Sequence, residues 1–135
     1  MVRLIDLQKI VDKRGNLSFI QSNDQIPFNI KRLFWVYDIP GEEERNGHAF
    51  KEQHEAIILL TGSLKVIVND GSKEYYFELR KPNQCLYLPP LTWRKLKNFT
   101  TNTVTLHLSS SQYVDTDYIR HKTEFLKLFD DSNKN

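Results

Sequence analysis

The sequence predicts an all-β sandwich or barrel closed by one C-terminal helix. Three features carry that expectation. Short apolar runs with strand-like alternation recur from residue 16 to residue 110, turn residues separate them, and no segment among them has a helical period. The six Tyr, eight Phe and two Trp suit pleated, half-buried surfaces. At 135 residues the chain has the length of one domain, spanning 1–135, and can bury a core without cross-links.

Residues 17–20 form the first expected strand. Residues 30–39 (IKRLFWVYDI) are apolar at almost every second position, with aromatics on both faces. Residues 55–60 end at the turn Thr61-Gly62-Ser63, and residues 64–68 then alternate clearly. Asn69-Asp70-Gly71 predicts a hairpin before residues 74–79. Residues 85–88 run into Pro89-Pro90, and residues 103–108 are the last strand. Beyond them Asp115 or Thr116 suits a helix cap. Tyr118, Ile119, Phe125, Leu126 and Phe129 recur near helical spacing, so a helix is expected over about 116–129. Residues 130–135 are polar and expected to fray. No repeat or linker divides the chain.

Nineteen basic and seventeen acidic residues leave a net charge of +2, too even for nucleic acid as the main partner. A small anion held by a few placed basic groups fits this balance. No apolar run approaches the ~20 residues needed to cross a bilayer. Cys85, the lone cysteine, cannot form an internal disulfide, and residues 1–6 reach a charge too soon for a signal peptide. A cytoplasmic protein is expected.

Residues 48–62 read HAFKEQHEAIILLTG. The metal-binding cupin pattern is His-x-His, four residues, Glu, six residues, Gly, and His48, Phe50, Glu55 and Gly62 fall on its places. A second cupin motif, Pro-x-Gly-x-x-His-x-x-x-Asn, is matched by Pro89, Leu91, Arg94 and Asn98. Both half-motifs in order point to a cupin jelly roll, the double-stranded β-helix. They also argue against a metal. Such a site needs about four inward ligands, and two of the places hold an apolar ring and a cation. An interior with His48, Glu55, Arg94 and aromatics suits an anionic organic ligand instead. An inward Glu55 needs a partner, and Arg94 is the expected one.

Over about residues 5–129 the chain resembles the dTDP-4-keto-6-deoxyglucose 3,4-ketoisomerases of the cupin superfamily. The pieces that carry the resemblance are Asp12-x-Arg14-Gly15-x-Leu17, Ile26-Pro27-Phe28-x-Ile30-Lys31-Arg32 and Gly41-Glu42-Glu43 with Arg45 and His48-Ala49. Leu60-x-Gly62-Ser63, Asp70-Gly71, Leu86-Tyr87-x-x-Pro90-x-x-Trp93 and Tyr113-x-Asp115-x-Asp117-Tyr118-Ile119-Arg120 complete the set. The resemblance implies a homodimer without cofactor or metal. Its substrate would be a dTDP-linked 4-keto-6-deoxy sugar, isomerised on the way to a dTDP-3-amino-3,6-dideoxyhexose for cell-surface polysaccharide. A base takes the carbon-3 proton, an enediol forms, and a proton returns at carbon 4. Histidine suits that task near neutral pH, and His48 matches the family's first catalytic histidine. Lys31, Arg32 and Arg45 stand in motif positions suited to a diphosphate.

Many relatives read His-Ala-His where this chain reads His-Ala-Phe. His48 would then work with Glu55 or with His54, although His54 also fits a strand-edge or surface position. Arg14 and Arg94 match positions linked to stereochemistry at carbon 4; Arg14 resembles the galacto-forming type and Arg94 the gluco-forming type. Trp93 is a candidate for stacking on the ligand and fits core packing equally well. His107, between Leu106 and Leu108, could face either side of its strand, and no role is assigned to it. Two other functions remain open: a non-catalytic sugar-nucleotide-binding cupin and a related keto-sugar epimerase. An N-terminal strand lent to a partner is expected to help build the dimer.

Overall fold

The computed structural model describes the backbone of residues 1–40 and 45–132, and all their side chains except those of 45, 46, 131 and 132. Among the described residues ten strands form two five-stranded sheets whose pairings are all antiparallel. In chain order they are β1 (Arg3–Asp6), β2 (Arg32–Val36), β3 (Arg45–Phe50), β4 (Glu55–Thr61), β5 (Leu64–Asn69), β6 (Glu74–Leu79), β7 (Gln84–Leu88), β8 (Trp93–Lys97), β9 (Val104–Ser109) and β10 (Tyr118–Ile119). One sheet has the order β1-β7-β4-β9-β2 and the other β10-β3-β8-β5-β6. This is the expected all-β jelly roll with one C-terminal helix, α1 (Lys122–Ser132).

Alternation dictates the packing. Ile57, Leu59, Leu86 and Leu88 face Leu64, Val66, Val68, Leu79 and Leu96 between the sheets, forming one buried cluster. The opposite face of the first sheet (Ala56, Ile58, Cys85, Tyr87, Leu108) is covered by Leu7, Ile26 and Phe28. The outer face of the second sheet (Ala49, Trp93, Ile119) is covered by Phe125 of α1. The β5–β6 hairpin turns at the expected place. Asp70 accepts hydrogen bonds from the backbone N–H groups of Ser72 and Lys73, and Gly71 sits at φ +98°. A side chain at Gly71 would also collide with Phe129 of α1, so the hairpin and the helix share that position.

Four expectations are corrected. Residues 17–20 form no strand: Leu17 makes only an isolated bridge to Ile10, because β1 and β2 already occupy both edges of that sheet. The run at 30–39 contracts to Arg32–Val36. Residues 116–121 are not α-helical: Asp115–Asp117 is a 3-10 turn, and β10 then hydrogen-bonds the edge of β3, with Tyr118 opposite Phe50 and Ile119 opposite Ala49. The helix begins six residues later than the expected start and runs through Asp130–Ser132, which were expected to fray. Among the described residues no helix is long and apolar enough to cross a membrane.

Candidate active site

The site lies at the end of the sandwich where β2, β3, β4, β8 and β9 turn polar side chains inward. On β3 the two-residue period places His48 and Phe50 on one face and Ala49 on the other, under α1. Register then brings Arg94 of β8 beside His48. On the facing sheet Glu55 is the first residue of β4, and the β9 register places His107 opposite Ile57. Phe34 of β2 stands opposite His107. A cavity of about 690 Å³ opens here, lined by His48, Glu55, His107, Phe34, Tyr113, Tyr118 and Arg120 among others. That size suits a small organic ligand.

Glu55 is the electrostatic centre. Its Oε1 lies 3.3 Å from His107 Nδ1 and 3.5 Å from Arg94 Nη1. Burial by itself pushes the carboxyl up, but the His107 hydrogen bond and the charge of Arg94 outweigh it and hold the pKa at about 2. An ionised carboxylate only accepts, so His107 Nδ1–H donates to it. His107 Nε2 is engaged by Thr105 Oγ1 at 2.9 Å, and the ring stacks on Phe34 with centroids 4.5 Å apart. The Arg94 side chain is 0% exposed. Burial lowers its pKa, while Glu55 and Tyr118 raise it. Its guanidinium lies 5.0 Å from the Phe50 ring centroid. The expected Arg94–Glu55 partnership is therefore present, with His107 added to it.

His48 is half-buried on the cavity wall. Its ring meets Phe50 edge-on at 5.0 Å and Tyr118 at 5.5 Å, and its charge reaches Glu55. Arg32 is clamped beside the cavity. Its guanidinium stacks near Phe34 and Tyr113 at 5.3 and 5.5 Å and donates to Gln53 Oε1 at 3.1 Å and Ser109 Oγ at 3.3 Å. Lys31 is exposed next to it. The Arg45 side chain and the motif Gly41-Glu42-Glu43 lie outside the described residues.

Three candidates stand elsewhere. His54 is one residue from Glu55 and so faces the opposite side of the sheet. There its Nδ1 is 2.7 Å from the Tyr87 hydroxyl and its ring stacks on Phe28; burial first, and then the N-terminal ammonium, lower its pKa. Trp93 precedes the inward Arg94 and for the same reason faces out, packing on Phe125 beneath α1. Arg14 sits in an exposed turn, 89% accessible, paired to Asp12 at 3.0 Å. Conversely, the cavity gains His107, Phe34, Tyr113, Tyr118 and Arg120. For His107 the available signal was Thr105-x-His107-x-Ser109, a polar face in a strand whose other face is Leu106 and Leu108. Among the described residues no three His, Cys, Asp or Glu groups gather as a metal site.

Residues 1–130 match the family model described as FdtA: WxcM-like, C-terminal. The chain is 38% identical over 125 residues to the TDP-4-oxo-6-deoxy-alpha-D-glucose-3,4-oxoisomerase of Aneurinibacillus thermoaerophilus, covering 93% of this chain and 90% of that protein. Its fold matches the WlaRB TDP-quinovose 3,4-ketoisomerase of Campylobacter jejuni at a TM-score of 0.90 and 34% identity, covering 93% and 97% of the two chains. It also matches a variant of the 3,4-ketoisomerase QdtA from Thermoanaerobacterium thermosaccharolyticum, solved in complex with TDP-4-keto-6-deoxyglucose. That match has a TM-score of 0.92 and 34% identity, covering 99% and 97%.

Proposed function

The chain belongs to the FdtA (WxcM-like, C-terminal) family, and from that premise we propose that it moves the ketone of a TDP-4-keto-6-deoxyhexose from carbon 4 to carbon 3. The observation that carries this reading is His48 on the wall of a cavity whose floor holds an ionised Glu55. The carbon-3 proton is acidified by the neighbouring carbonyl, and an imidazole titrating near neutrality suits its removal and return. The fixed negative charge of Glu55 favours the protonated form that His48 takes while the enediol exists. Arg32, immobilised by Gln53 and Ser109, suits one end of the diphosphate, with Lys31 and Arg45 as further donors. Arg94, held beside His48, fits a role in choosing the face on which carbon 4 is reprotonated.

The site uses no metal and no cofactor in this reading. The product, a 3-keto sugar, is the substrate class that an aminotransferase consumes in making a 3-amino sugar, here assigned to cell-surface polysaccharide. A reducing cytoplasm suits a chain whose cysteine, Cys85, is buried with its thiol pushed up to about 12 by that burial. We assign a homodimer. Leu33, Trp35 and Tyr37 are 52%, 56% and 60% exposed on and just beyond edge strand β2, an arrangement that favours association. A mass near one chain in light scattering at micromolar concentration overturns the dimer.

Phe50 favours one competing reading, a protein that binds the sugar nucleotide without chemistry. Incubation with TDP-4-keto-6-deoxyglucose in deuterated water separates the two. The isomerase exchanges hydrogen at carbon 3 of the recovered substrate and yields a 3-keto product labelled at carbon 4, whereas a binder exchanges nothing. Exchange at carbon 3 or 5 with the 4-ketone retained and no 3-keto product formed would mark an epimerase.

A further inference from the structure

Moving a ketone between adjacent carbons relocates two protons, one between the carbons and one between the oxygens. His48 serves the first. We propose that the Tyr118 hydroxyl serves the second, an assignment that rests on the isomerase reading above.

Among the described residues, the other protic groups on the cavity are committed or open to solvent. Glu55 is held ionised and has no proton to give. Both ring nitrogens of His107 are engaged, by Glu55 and Thr105. The Tyr113 hydroxyl donates to Asp115 at 3.0 Å. Tyr37 and Asp38 are exposed, where water competes for their protons. Tyr118 differs: it lines the cavity and is half-buried, and its ring lies 5.5 Å from His48.

Its position is fixed from several sides. The ring packs edge-on against Phe50 at 4.5 Å, the Arg120 guanidinium lies 4.2 Å from its centroid, and Arg94 is within its electrostatic reach. Two guanidinium groups therefore stand close to the Tyr118 ring. Backbone pairing of Tyr118 with Phe50 anchors the residue on the strand that carries His48.

The step balances. His48 takes the carbon-3 proton, the carbon–hydrogen electron pair becomes the carbon–carbon double bond, and the carbonyl pair moves onto the carbon-4 oxygen, which takes the Tyr118 proton. The phenolate then takes the proton of the carbon-3 hydroxyl as the carbonyl forms there. The double-bond pair returns to carbon 4 with the proton held by His48. Both residues end as they began, and no oxidant is required.

The test is Tyr118→Phe, which keeps the ring and removes the hydroxyl, followed in deuterated water with the 4-keto sugar nucleotide. Product formation should fall by about 10²-fold or more, while carbon-3 exchange into recovered substrate falls much less, because His48 still opens the enediolate. The ratio of exchange to product should rise at least about tenfold, whereas damage to packing would lower both together. Product formation within threefold of native, or exchange and product falling in parallel, overturns the assignment of Tyr118. A native chain that neither exchanges nor isomerises refutes the isomerase reading and this assignment with it.

Discussion

Replacing Arg94 by Met tests the electrostatic account of the site most directly. Met keeps much of the aliphatic length of Arg but leaves the Glu55 carboxylate with only His107. At 3.5 Å and an effective dielectric of about 20, the pair attracts by about 5 kcal/mol. Breaking a buried pair by removing one partner costs about 3–5 kcal/mol. The two figures agree, so at neutral pH Arg94→Met should lower the unfolding free energy by about 3–5 kcal/mol and Tm by about 10–20 °C. The Arg94 guanidinium makes no hydrogen bond to any described residue, so the pair's desolvation is poorly offset. Arg94→Met combined with Glu55→Gln should therefore regain most of the loss.

The pH dependence supplies the sign. Glu55 is depressed from 4.5 to about 2 in the native fold, so its contribution is present above the unfolded pKa and disappears as pH falls towards 2. Without Arg94 the folded pKa rises and the carboxyl can protonate, which relieves the unpaired charge. The stability gap between native and Arg94→Met should then narrow as pH falls from 7 to 4. Urea melts followed by circular dichroism measure it. A single variant within 3 °C of native, a double variant no better than the single, or a gap that widens in acid would refute the argument.

Two other outcomes follow from the site. His48→Asn should cut turnover by about 10²–10⁴-fold, the usual worth of a general base, with TDP affinity by calorimetry nearly unchanged because the diphosphate is assigned to Lys31, Arg32 and Arg45; near-normal turnover would remove His48 from the mechanism. A chelator should leave both turnover and Tm unchanged, since Phe50 and Arg94 hold two of the places a metal would need, and a loss restored by a divalent ion would contradict that.

The sequence by itself determined the all-β class, most of the strands and the spacing that brings His48, Glu55 and Arg94 together. Those signals are local: a two-residue period, turn residues, and motif intervals along neighbouring strands. Which face of a strand meets the cavity is decided by neighbours far along the chain. His54 and Trp93 each sit one residue from an inward side chain, and a single step in a strand reverses the face. His107 reaches Glu55 only through the β4–β9 register, across fifty-two residues. Tyr118 and Ile119 have helical spacing with Phe125, yet they pair with the open edge of β3, because backbone hydrogen bonds to an unpaired strand outweigh a weak local preference. Tertiary pairing thus decided which histidine supports the carboxylate and which tyrosine stands beside His48.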